Sequence, residues 1–250
     1  MTPTDTDHLD NQFIALLTIV AAELPAAAAA IGLTATDNLE AAVLDPLIKE
    51  VASRSRSQLT PIKGEHNRLE NFRNPVLDRV LGPIDLTFRT EDQQTVLGEV
   101  KWSGATKGPG LIYEQAWDAV KLAAAIVEHS DVVRGYVIGG ASEAAWKETS
   151  TSDVFQAGTL NPAEAWLRNI SRTDPTVTGR NGKTKVGLDL EAESGGRVLR
   201  TPLLKITAVT SIRVDFDDQT QPWFLRCAAV EPEGETVEWA DMLAAAQEKP

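Results

Sequence analysis

The chain has a single cysteine, Cys227, among 250 residues. An intrachain disulfide framework is therefore excluded, and no Cys/His spacing of a zinc site is present. The three histidines, His8, His66 and His129, are isolated from any recognisable nucleophile motif, and there is no serine-hydrolase elbow. No Gly-Lys-Ser/Thr closes a glycine-rich loop, which removes a Walker-type nucleotide site. Lysine and arginine are missing from residues 1–48, which carry seven acids. The apolar run from Phe13 to Leu33 is interrupted by Glu23 and Pro25 and preceded by acids rather than bases. That pattern argues against a signal peptide and a membrane span, so a cytoplasmic protein with no membrane partner is expected.

What is present is an apolar content of 42%, enough for one domain with a sizeable core. The net charge of -12 weighs against binding to phosphate, but it is unevenly spread. Residues 215–250 hold nine acids and two bases, whereas residues 49–214 hold 22 bases and 20 acids. Arg54, Arg56, Lys63, Arg68, Arg73 and Arg79 gather in one stretch, and Arg168, Arg172, Arg180, Lys183 and Lys185 in another. These groups could line a substrate groove or be ordinary solvated surface.

Between the two basic stretches the apolar pattern changes to period two. Ile84, Leu86 and Phe88 alternate with Asp85, Thr87 and Arg89, and alternation returns over Val96 to Trp102. The short polar segment Glu91-Asp92-Gln93-Gln94 between them predicts a hairpin. Centring the turn on Gln93 sets Ile84 opposite Trp102, Leu86 opposite Val100 and Phe88 opposite Gly98. Asp85 then lies across from Lys101 with Glu99 diagonal to it, and all three project from one face.

In that register Glu99 and Lys101 are roughly 6.6 Å apart along the strand, with Asp85 about 5 Å away across the ladder. Two carboxylates so spaced can share a hard cation such as magnesium, which takes oxygen ligands and retains waters. A lysine beside them can orient a metal-bound water or meet charge developing on a phosphate. The same residues would also serve as an ordinary cross-strand ion pair on a solvated face. No other lysine in the chain has an acid two residues before it.

Pro83-Ile84-Asp85 followed by Glu99-Val100-Lys101 resembles the PD-(D/E)XK nuclease superfamily, the restriction-endonuclease-like fold. The resemblance covers about residues 39–140. It implies an α/β protein with an α-β-β-β-α-β core, in which Asp85 and Glu99 bind Mg2+ or Mn2+ and Lys101 assists the attacking water. It also implies nucleic acid as partner, with DNA preferred, and a homodimer is one way to cut both strands. A family member that has lost catalysis would instead be a binding or assembly module.

Relatives in that superfamily often add an acid from the helix before the sheet. Leu39, Val43, Leu47 and Val51 have helical spacing, with Glu50 beside the stripe; Glu65 is closer in sequence to the first strand and is preferred. Beyond the hairpin, residues 103–110 are glycine-rich and read as a flexible connection or as amides that hold a phosphate. Residues 111–128 follow as an amphipathic helix with Ile112, Ala116, Trp117, Val120, Ala123, Ala124 and Val127 on its apolar side. Gln115 and Tyr113 are site candidates on this helix by the same resemblance. Glu114, Asp118 and Lys121 are spaced for intrahelical ion pairing.

The expected organisation is a helical addition over 1–38, the core over 39–140, a β-rich extension over 141–230 and an acidic tail over 231–250. Val132 to Gly139 reads as a buried strand, Ser142 as the cap of a helix through Thr149, and residues 161–170 as a short helix. Leu203 to Phe216 and Trp223 to Val230 read as strands, and Gly195-Gly196 as a turn.

Overall fold

A computed structural model of the chain describes residues 3–55, 58–62, 84–104, 115, 118–119, 121–123, 125–127, 129–149, 158–160, 200–217, 219–238 and 241. It is a mixed α/β structure built on a seven-stranded sheet. Helix α1 (Pro3–Ala30) is followed by a π-helical turn (Glu40–Leu44) that runs into α2 (Asp45–Arg54). Strands β1 (Thr60–Pro61), β2 (Leu86–Arg89) and β3 (Thr95–Ser103) come next. The described positions between 115 and 127 are helical and form α3. Then follow β4 (Val132–Ser142), α4 (Glu143–Thr149), β5 (Gly158–Leu160), β6 (Arg200–Val214) and β7 (Trp223–Glu238).

The spatial order is β1-β2-β3-β4-β7-β6-β5. Only the β3–β4 pairing is parallel, as suits two strands joined through a helix; the other five pairings are antiparallel. The β-rich segment thus continues the same sheet through β7. Ser142 Oγ accepts the Ala145 N–H at 3.2 Å, the expected cap of α4. Strand β7 extends to Glu238, so the expected acidic tail from 231 begins as strand. The expected helix over 161–170 and the turn at Gly195-Gly196 lie outside the described residues.

The hairpin forms, but its register differs from the expected one by two residues. Leu86 pairs with Gly98 and Phe88 with Val96. The turn explains the shift. Gln93 N–H donates to Thr90 O at 3.0 Å, and Thr90 N–H donates to Gln94 O at 2.9 Å. Gln93 carries a φ of 60°. Thr90 and Gln94 therefore close a three-residue loop with a left-handed last residue, where glycine is usual. A slip of two leaves each side chain on its original face, so the face assignment holds.

One face of the sheet meets α1 and α2. Phe13 stacks on Tyr136 with ring centroids 4.0 Å apart and meets Phe88 edge-on at 5.9 Å. Leu16, Leu17, Val20 and Leu24 are buried in the same cluster as Leu86, Phe88, Val100 and Trp102. Helix α1, with Ala35 beyond it, thus contributes to the main core. This helix has the length and apolarity of a membrane-crossing segment, and 39% of that stretch is buried in the fold. The opposite face lies under α3: a Cβ added at Gly135 would touch Leu122 Cβ at 3.0 Å. Ala119, Leu122, Ala123 and Ala125 are buried there, whereas Val127 is exposed. Of the positions expected on the apolar side, Ala123 is buried and Val127 is not, while Ile112, Ala116, Trp117, Val120 and Ala124 lie outside the described residues; Gln115 and Asp118 are buried as well.

Candidate active site

The side chains of Glu99 and Lys101 leave β3 on the α3 face, because Val96, Val100 and Trp102 take the face toward α1. Asp85 sits immediately before β2, and its Oδ2 accepts the Val100 N–H at 2.9 Å. Asp85 therefore does not pair directly across from Lys101, as the expected register required, but caps the backbone between Glu99 and Lys101. The three residues do converge on one face, as expected.

Lys101 Nζ instead donates to Glu40 Oε1 at 3.0 Å and lies 3.8 Å from Asp118 Oδ2. Among the described residues, Glu40 is the upstream acid that the structure brings to the site. It opens the π-helical turn, whose wider ring closes through Asp45 N–H to Glu40 O. Glu50 is exposed on α2, and Glu65 and Tyr113 lie outside the described residues. Nothing in the regular spacing of Leu39 to Val51 signals the π turn, so Glu40 carried no mark in the sequence beyond being an acid beside a buried leucine.

From α3 come two charged side chains that sequence spacing assigned to an intrahelical pair. Lys121 Nζ is 3.2 Å from Asp118 Oδ1, as that reading requires, but it is also 2.7 Å from Glu99 Oε1. Glu99 is completely buried, and Asp118 and Lys121 are 5% and 8% exposed at the side chain, so this is an interior ion cluster and not a solvated helix face. A usable signal existed: Asp118 and Lys121 are embedded in Ala119, Val120, Leu122 and Ala123, where solvent-facing charge would be out of place. Gln115 is also fully buried, and neither atom of its amide has a hydrogen-bond partner among the described residues.

Burial dominates the electrostatics. It pushes the Glu99 carboxyl well above the usual range; Asp118 and Asp85 push it the same way, and Lys121 opposes them. Asp118 is raised to about 6, first by burial and then by Asp85, against the pull of Lys121 and Lys101. For Lys101, burial works to lower the pKa, but Asp118, Asp85 and Glu40 outweigh it and the ammonium is held more firmly than in water. Lys121 is raised in the same way by Glu99 and Asp118. Both lysines are therefore cations at neutral pH, and Asp118 is the group poised to exchange a proton there.

Four carboxyl groups, Glu40, Asp85, Glu99 and Asp118, thus face two ammonium groups. Among the described residues neither Glu99 Oε2 nor Asp118 Oδ2 has a hydrogen-bond partner, although both are buried. An acid-rich interior with unserved oxygens has the donor chemistry that a hard divalent cation takes. Among the described residues no three His, Cys, Asp or Glu side chains are close enough to enclose an ion. A cation here would accordingly keep waters in most of its positions, as magnesium does.

Comparison with family models, curated proteins and solved structures yields no match.

Proposed function

We propose that the chain is a metal-dependent phosphodiesterase acting on nucleic acid, with DNA as substrate. The observation that carries this reading is the meeting of Asp85, Glu99 and Lys101 on one face of the sheet, completed by Glu40 and Asp118. The order α2, β1, β2, β3, α3, β4, with β1 to β3 antiparallel and β4 parallel to β3, supports the resemblance to the PD-(D/E)XK superfamily.

In this reading Asp85 and Glu99 would hold Mg2+ or Mn2+. Bound there, the cation would supply acidity to a water and charge to a phosphate oxygen. Lys101 stays protonated and has no lone pair to offer, so it does not act as the base. Its ammonium donates hydrogen bonds, which fits it to hold the attacking water by the oxygen or to meet negative charge on the phosphate. Glu40 fixes where that ammonium points. Asp118, raised to about 6, is ionised at neutral pH and basic enough to accept the proton that the attacking water loses.

A second reading has its own support. With Glu99 fully buried against Lys121, and with no three-ligand cluster among the described residues, the same fold could serve as a catalytically inactive binding or assembly module. Cleavage of labelled single- and double-stranded DNA and RNA, with Mg2+, Mn2+ or chelator, separates the two. The nuclease reading requires DNA cleavage that needs the metal and is lost in Lys101→Ala. No cleavage of any substrate, or equal cleavage by both proteins, transfers the assignment to the inactive module.

A further inference from the structure

Lys121 is the one member of the cluster that the proposed chemistry leaves without a task. Its ammonium lies 2.7 Å from Glu99 Oε1 and 3.2 Å from Asp118 Oδ1, and its side chain is 8% exposed. Glu99 is the more buried of the two carboxylates assigned to the metal, and Lys121 is the only cation recorded in an ion pair with it among the described residues. An ammonium and a divalent cation seek the same oxygen lone pairs. Held 2.7 Å from Oε1, the ammonium stands beside the open Oε2, so a divalent cation bonded to either oxygen of Glu99 meets it as a like charge at close range. Like charges so close in an interior repel strongly, and neither can be screened there by salt.

We propose that Lys121 is a tethered counter-cation of the acidic site, which a divalent metal ion must displace from Glu99 before it can bind. This rests on the reading of Asp85 and Glu99 as metal ligands and adds its regulation. The arrangement resolves an otherwise awkward feature of the fold. A completely buried glutamate at the centre of a sheet needs a partner while the metal is absent, and Lys121 provides one without permanently closing the site. The side chain's length makes the exchange feasible. Lys121 lies on α3 one helical turn beyond Asp118, so its ammonium can leave Glu99 and remain paired with Asp118. Metal affinity is then set by competition between an ion in solution and one fixed to the chain.

The competition can be read without any cleavage assay, from the electron spin resonance signal of free Mn2+ titrated into the full chain. Lys121→Met is expected to bind Mn2+ about tenfold more tightly than the native protein or tighter, the factor expected when one close opposing charge is removed. Lys121→Arg, which keeps the charge, should bind no more tightly than native, and Glu99→Gln should weaken binding in every background. If Lys121→Met binds Mn2+ equally or less tightly while Glu99→Gln still weakens binding, the metal site stands and the tethered cation is refuted. If none of these proteins binds Mn2+, the metal reading fails and takes the inference with it.

Should Lys121→Met fail to fold, the native chain labelled with 13C and 15N in its lysines gives an independent answer. Saturating Mg2+ should shift one lysine ammonium signal as its bond to Glu99 is lost and its pairing with Asp118 kept. Mg2+ binding with no lysine signal moved overturns the proposal.

Discussion

Lys101 Nζ and Glu40 Oε1 meet at 3.0 Å although 61 residues separate them in the chain. The lysine comes from the middle of the sheet and the glutamate from the π-helical turn before α2, so the contact ties the helical layer to the strand that carries Glu99. Lys101 is otherwise balanced by Asp118 at the longer distance of 3.8 Å. Removing Glu40 would leave the ammonium charged but free to swing toward α3.

The first prediction follows from that geometry. Glu40→Gln keeps the side chain's size and can still accept a hydrogen bond, but loses the charge that orients Lys101. Cleavage of DNA should fall about 10- to 100-fold in kcat, the scale of a modest misplacement at a reacting centre. KM should change little, since Glu40 is not assigned to substrate binding, and Glu40→Asp should recover less than half the loss because it is one methylene short. A steady-state comparison of the three proteins decides the matter; unchanged kcat in Glu40→Gln would remove Glu40 from the site's working parts.

A second prediction concerns how closely β3 and β4 approach. A Cβ built on Gly140 would stand 2.0 Å from Trp102 Cε3 and 2.2 Å from Cζ3. Trp102 has no room to give: it stacks on Trp223 at 5.4 Å with planes 5° apart, and its Nε1 donates to Ala35 O at 2.9 Å. Gly140→Ala should therefore destabilise the protein by about 1–3 kcal/mol through overpacking. Adding Trp102→Leu should cost much less in the Gly140→Ala background than alone, because the two share one clash. Urea unfolding of the four proteins in this cycle measures the coupling, and strictly additive changes would contradict it.

The pH dependence of stability carries the third prediction. Asp118 rises from its ordinary 3.8 to about 6 in the fold. The folded protein therefore binds a proton at Asp118 more tightly than the unfolded chain does. That contribution to stability is fully present below pH 4 and is lost as pH climbs through about 6. Across this window the native protein should lose about 3 kcal/mol relative to Asp118→Asn, in which the group cannot ionise. Denaturant unfolding at pH 4 and pH 7 tests the difference between the two proteins, so the opposite trend from Asp131, whose pKa is lowered in the fold by its bond to Thr95, cancels. Native stability that rises with pH relative to Asp118→Asn would reverse the sign and refute the assignment.

How much of this was legible in sequence depends on what each residue's neighbours fix. Alternation over 84–88 and 96–102 was enough to put Asp85, Glu99 and Lys101 on one face, because period two survives any even slip. The partners within that face were not legible, since the register is set by Gln93 in a left-handed conformation and glutamine does not announce one. Glu40 was hidden because a π-helical turn leaves no periodic trace in five residues. Asp118 and Lys121 satisfied a helix-surface spacing rule that outweighed the one contrary signal, the apolar residues around them, and their packing under the sheet shows that they point inward. Sequence therefore exposed the strand residues, whose direction is binary, and missed the helix residues, whose direction is not.

The last prediction concerns the anchoring of α1. Asp10 accepts Arg134 Nε at 3.1 Å on Oδ1 and Nη2 at 2.7 Å on Oδ2, and Tyr136 Oη donates to the same Oδ1 at 2.7 Å. Arg134 is almost completely buried on β4, with Glu231 from β7 as its other acid. A forked pair of this kind holds direction as well as distance, so it fixes α1 in register on the sheet. Asp10→Ala leaves the guanidinium buried with one acid and strands the Tyr136 hydroxyl, and should cost about 3 kcal/mol. Asp10→Asn, which keeps an acceptor and a shape match, should cost less. Replacing the whole pair, Asp10→Leu with Arg134→Met, should recover most of the stability lost in Asp10→Ala, because it removes the buried charge instead of orphaning it. Unfolding in urea gives these differences, and amide exchange along α1 locates them: in Asp10→Ala, protection should fall first from Phe13 to Leu24. Uniform loss of protection across the sheet would mean that Asp10 supports the whole fold and not the docking of one helix.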